Sequence, residues 1–205
     1  MGLISNGTTL LDAGALDSGV PTGSMTLIKT LTASNNGTLS FVHGSSSVVL
    51  DGTYKEYIFK FLNVHPSADN RDLDFNLSTD SGSNYDAVKT TTYFYTYHQE
   101  GGGGGALEYV TSSDLAQSDG VQELMENVGG DADQSGCGVL HLFDPANTSF
   151  VKHFIAKTTN ASANNYNKAA YVAGYANTTS AINGVRFNFN SDNIQTGVIK
   201  LYGVK

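Results

Sequence analysis

The segment Asp131-Ala132-Asp133-Gln134-Ser135-Gly136 sets side-chain oxygens at alternate positions and places a glycine sixth. This is the layout of the first half of a calcium loop, where hard oxygen donors surround the cation and glycine makes the sharp turn. The twelfth position is Leu142 where an EF-hand has glutamate. A full EF-hand is therefore excluded. What remains is a partial calcium site with Asp131, Asp133 and Ser135 as ligands, or a polar surface turn. Five histidines, His43, His65, His98, His141 and His153, show no short ligand spacing. His141 and His153 lie in strand-like segments, but zinc would need further donors in a strict geometry. Cys137 stands between Gly136 and Gly138, and a thiol alone says little, because its reactivity depends on a basic environment. The Gly-x-Ser-x-Gly nucleophile elbow of serine hydrolases is absent. Asp72 and Asp74 share one face of a strand-like segment, which reads as its wet face.

Two further segments draw notice. Gly101–Gly105 is a run of five glycines. It lacks the Lys-Ser/Thr of a phosphate loop and reads as a hairpin tip. In Tyr93-Phe94-Tyr95-Thr96-Tyr97 the three tyrosines share one face. That face packs on the core with hydroxyls at its rim, or it makes a subunit or glycan contact, where tyrosine is enriched.

The elements that must hold these residues are strands. Asp72-Leu73-Asp74-Phe75-Asn76-Leu77-Ser78 and Val185-Arg186-Phe187-Asn188-Phe189-Asn190 alternate polar with apolar, so each has one buried and one wet face. That pattern belongs to antiparallel sheets. Similar segments are predicted at 25–32, 38–43, 54–64, 88–98, 106–110, 139–143, 150–156, 166–176 and 198–202. Asn35-Asn36-Gly37, Asp51-Gly52 and Asn183-Gly184 supply tight turns between them. One short helix is predicted over 120–128, with Val121, Leu124, Met125 and Val128 at helical spacing and Asp119 as its N-cap. The expectation is an all-β chain: a single antiparallel β-sandwich, jelly-roll-like, over 25–205. Residues 1–24 read as an extended N-terminal arm, with Leu3, Ile4, Leu10 and Leu11 as its contacts to a neighbouring subunit.

Composition narrows the function classes. Charged residues make up only 15% of the 205-residue chain, and the formal net charge is −8. A basic footprint for nucleic acid is missing, and anionic membrane surfaces are disfavoured. The one cysteine cannot form an internal disulfide, which fits a reducing compartment or a core large enough to need no staple. Met1-Gly2-Leu3-Ile4-Ser5-Asn6 has neither a basic region nor an apolar run, so no secretory leader is expected. No apolar stretch approaches the ~18 residues of a membrane span.

The segments Met25–Ser34, Tyr54–Pro66, Asp80–Asp86, Phe150–Phe154 and Ile199–Gly203 together resemble a group of virion structural proteins of tailed bacteriophages, many from marine phages. The resemblance runs from about Asn6 to the end. It implies a non-enzymatic virion component made in the host bacterial cytoplasm, and it carries no active-site residues. The leading expectation is a capsid decoration or cement protein, a homotrimer that docks on the major capsid protein through its arm. The alternative is a tail-fibre or receptor-binding component among the tail proteins; a glycan-processing enzyme is the third reading.

Overall fold

All eleven segments with strand-like alternation are strands in the structure, a computed structural model that describes residues 3–5, 8–12, 15–16 and 24–205. In chain order they are β1 (Leu3–Ser5), β2 (Thr8–Asp12), β3 (Ala15–Leu16), β4 (Met25–Thr32), β5 (Leu39–Val42), β6 (Glu56–Pro66), β7 (Arg71–Ser78) and β8 (Lys89–Gln99). They continue with β9 (Gly105–Tyr109), β10 (Gln122–Val128), β11 (Gly136–Phe143), β12 (Lys152–Ala161), β13 (Tyr166–Ala176), β14 (Gly184–Phe189) and β15 (Ile194–Val204). β2 pairs with β1 on one side and β3 on the other. The side chains of Leu3, Leu10 and Leu11 lie outside the described residues; Ile4 is exposed.

The remaining strands form two antiparallel sheets, β10-β7-β14-β5 and β4-β15-β6-β11-β12-β13-β8-β9. A ribbon of eight strands wrapped into two sheets pairs first with last, second with seventh, third with sixth and fourth with fifth. Here β5 pairs β14, β6 pairs β11, β7 pairs β10 and β8 pairs β9. The topology is a jelly roll in which the seventh strand is expanded into the meander β11-β12-β13. β15 and β4 extend the larger sheet beyond β6. Where β15 passes β6 the register slips, and Gly197 takes φ +121° with Asn63 O 2.7 Å from where a Cβ would stand. Only glycine fits that close approach at positive φ.

Leu73, Phe75, Leu77, Val185, Phe187 and Phe189 line one core between the sheets, as their alternation requires. Phe187 is its hub, with its ring edge-on to Phe41, Phe59 and Phe61 and tilted against Phe75.

Two expectations need correction. The predicted helix over 120–128 is β10, paired with β7 through Gln122↔Phe75, Glu123↔Asp74 and Met125↔Leu73. Register shifts between Glu123 and Met125 and again before Val128 break the alternation. Leu124 and Met125 therefore both turn inward, which imitates helical spacing, while Val121 stays 41% exposed. Asp119 caps no helix; its carbonyl accepts from Asn76 Nδ2 at 3.0 Å. The second correction concerns the polar face of β7. Asp74 (4% exposed) and Asn76 are buried, because the segment 111–121 between β9 and β10 folds over that side of the sheet.

Candidate functional site

Three places in the molecule gather chemistry, and the first is the covered acidic face of the four-stranded sheet. Asp72 and Asp74 stand two apart on β7, and Glu123 lies directly across from Asp74 on β10. Asp72 is held by the backbone N–H of Asn127 (2.7 Å) and by Asn190 Nδ2 (2.8 Å). Ser113 Oγ donates to one oxygen of Glu123 at 3.1 Å, while Glu123 Oε1 and the nearby buried Tyr93 Oη have no hydrogen-bond partner among the described residues. Burial pushes the Asp74 carboxyl up to about 8, helped by the neighbouring Glu123 and Asp72 charges. Burial likewise lifts Glu123 to about 7 and raises Asp72. The nearest cations are engaged elsewhere: Lys168 on Glu126 and Arg71 on Asp192. Like charges this close in low dielectric hold protons rather than ionise together. Further along β7, Lys89 donates to Asn76 Oδ1 and to the Ala87 carbonyl, and burial lowers it to about 8.

The second is a polar cleft of about 460 Å³ at one end of the sandwich, where the turns after β8, before β11 and between β12 and β13 meet. His98, Glu100, Asp131, Asp133, Tyr166 and Asn167 line it. The cleft brings Asp131 and Asp133 together but not Ser135, whose carbonyl instead accepts from Ala161 N. The segment is a turn: Gln134 N donates to the Asp131 carbonyl at 2.9 Å, and Gln134 Oε1 accepts from Asp131 N. Among the described residues no three His, Cys, Asp or Glu side chains converge as a metal site. His141 and His153 are on adjacent strands but two positions out of step, since His141 faces Ile155. His141 Nδ1 meets Glu56 Oε1 at 2.5 Å instead. Cys137 Sγ is half-buried against Asn63.

Tyr93, Tyr95 and Tyr97 do share a face, and it is the inner face of β8. Tyr93 is wholly buried, Tyr95 nearly so, and Tyr97 packs edge-on to Tyr166. Tyr95 Oη donates to Glu108 at 3.1 Å. These rings are the core margin, and this buried position corrects the subunit contact expected of Tyr93 and Tyr95.

The third place is the outer face of the eight-stranded sheet. Pairing register lays its side chains in rows across the strands, and three adjacent rows hold its lysines and its one glutamate. The first is Tyr109, Phe94, Tyr171, Lys157, Val139, Lys60 and Lys200. The second is Thr92, Ala173, Ile155, His141, Ile58, Tyr202 and Leu27. The third holds Thr90, Tyr175, His153, Phe143, Glu56, Val204 and Met25. The second row is an apolar band broken only by Thr92 and His141, yet Ile155 is 52% and Leu27 51% exposed. Lys157 Nζ sits 5.3 Å over the Tyr171 ring and Lys60 Nζ 5.1 Å over Tyr202. Among the described residues, Lys60, Lys157 and Lys200 form no ion pair. A shallow apolar trough of about 490 Å³ runs between the second and third rows, lined by Thr90, Thr92, Ile155, Ala173, Tyr175 and their neighbours. Sequence reading missed this face. The alternation in Ile58-Phe59-Lys60 and Ile155-Ala156-Lys157 was visible, but the rows exist only once the strand registers are known.

Searches with this chain match no family model, no curated protein and no solved structure.

Proposed function

We propose that this chain is a non-enzymatic assembly module of a bacteriophage particle, acting by surface contact as a capsid decoration or cement protein. The observation that carries the reading is the apolar band across seven strands of the larger sheet. An apolar band of that extent, open at Ile155 and Leu27, marks an interaction surface. The jelly roll supports it, because its two packed sheets leave the broad outer face of the larger one free for docking. The phage context comes from the resemblance in sequence, and attachment to the major capsid protein through residues 1–24 goes with it.

Fluorescently labelled protein added to particles stripped of it tests the reading. Saturable binding at hundreds of copies per head, lost on deletion of residues 1–24, is expected. Binding confined to the tail would move the protein to the second reading, a receptor-binding tail component. The polar cleft lined by Glu100, Asp131, Asp133, Tyr166 and Asn167 favours that alternative, since planar polar groups beside one aromatic ring suit a glycan. Hydrolysis of host polysaccharide by the purified protein would overturn both.

A further inference from the structure

The three rows of the outer face restrict what can lie on them. Lysines occur only in the first row, the middle row is apolar apart from Thr92 and His141, and the one carboxylate, Glu56, is in the third, where it also meets His141 Nδ1. On these rows three lysines stand against one glutamate, in a chain whose formal charge is −8. We infer that a second copy of this chain packs face to face on this sheet, about a two-fold axis running along the middle row. The inference rests on the proposed assembly role and names its nearest partner, a two-fold pair in place of the trimer expected from sequence.

The register supports this axis over others. Rotation about the middle row places each strand over its own copy with direction reversed, so the first row of one copy covers the third row of the other. Lys60 then lies over the partner's Glu56, and the reciprocal contact forms by symmetry. The Phe94–Tyr171 stack, with ring centroids 5.1 Å apart and 8° between planes, comes down on the partner's apolar trough beside Tyr175. Ile155, Ala173 and Ile58 meet their own counterparts. An axis along the strands would instead lay lysine row on lysine row. Seven strands spaced about 4.8 Å, with rows roughly 7 Å apart, give a footprint of about 600 Å². That is near the ~800 Å² per partner of a stable interface, and two aligned sheets pack about 10 Å apart with side chains of this size between them.

Sedimentation equilibrium of the full chain up to about 200 µM tests the inference. A monomer–dimer equilibrium is expected that does not proceed to larger species. Ile155→Glu should weaken it at least tenfold and Lys60→Glu several-fold, while Lys60→Glu with Glu56→Lys in one chain should recover most of the loss. Circular dichroism and thermal unfolding check that the variants fold; Ala173→Glu on the same row replaces Ile155→Glu if it does not. A wild-type chain that stays monomeric would overturn the second copy as occupant. Dimers that survive Ile155→Glu or Ala173→Glu, or a charge swap without recovery, would overturn this axis. Failure to bind stripped particles would overturn the assembly role and leave the dimer standing, so the two can fail separately.

Discussion

The outer faces of the two sheets invert the usual arrangement. The four-stranded sheet turns carboxylates away from the core and then covers them, so Asp74 is buried beneath the segment 111–121. The eight-stranded sheet turns Ile155, Ile58, Leu27 and Tyr202 away from the core and leaves them open or half-open. Burying an unpaired carboxylate costs free energy, and so does wetting a broad apolar face. Both costs fall outside the core, where they do not serve folding of the single chain. The first makes the acidic face hold protons; the second makes the apolar face a surface for contact. The difference teaches that alternation says which side chains share a face, whereas loops and partners decide whether that face is wet.

The core common to both faces should respond most strongly to substitution. Phe187→Ala removes the ring at the centre of the aromatic cluster and should cost about 3–5 kcal/mol in urea unfolding. The acidic face comes next. Carboxyls whose folded pKa is raised, Asp74 to about 8 and Glu123 to about 7, bind protons in the folded state that the unfolded chain has released. Their contribution is therefore fully present below about pH 4 and is lost as pH rises through about 8. Asp74→Asn should add on the order of 2–4 kcal/mol at about pH 8 and nothing near pH 4. Lys89, lowered to about 8 by burial, acts in the opposite sense above that range. The difference between wild type and Asp74→Asn isolates the carboxyl from it.

Lys168→Met tests the cation paired with Glu126 beside this face. It removes the partner of Glu126 in a pair that is mostly buried and takes the ammonium from over the Tyr95 ring. A loss of about 2 kcal/mol at neutral pH is expected in thermal unfolding. The smallest effect belongs to the open face. Ile155→Ser should change the unfolding free energy of dilute protein by no more than about 0.5 kcal/mol. A large loss there would mean that the face is covered within the single chain, and the contrast between the sheets would fall.

Much of this was legible in the residues. Met25–Thr32 and Tyr166–Ala176 begin and end where their alternation does, and the inward set of β7 and β14 is the core set. β10 was not legible, because register slips bring Leu124 and Met125 to one side and mimic a helix. The burial of Asp74 was hidden because it depends on a loop forty residues away, which no local pattern reports. Of the candidate site residues, Asp131 and Asp133 do meet in a cleft, since neighbours in a turn stay neighbours in the fold. Tyr93 and Tyr95 were placed on one face but could not be placed inside or outside, because alternation has no sign. The rows of Lys60, Lys157 and Lys200 were invisible, because they join strands 97 and 43 residues apart in sequence through pairing alone.

One labelling experiment weighs both faces together. Protein is treated with an amine reagent and with a carboxyl reagent, at about 1 µM and at about 200 µM, and the modified residues are read by mass spectrometry. The account predicts that Asp74 and Glu123 resist labelling at both concentrations. Lys60 and Lys157 should label readily when dilute and become protected when concentrated. Carboxyls that label as freely as Asp131 and Asp133, together with lysines equally reactive at both concentrations, would contradict it.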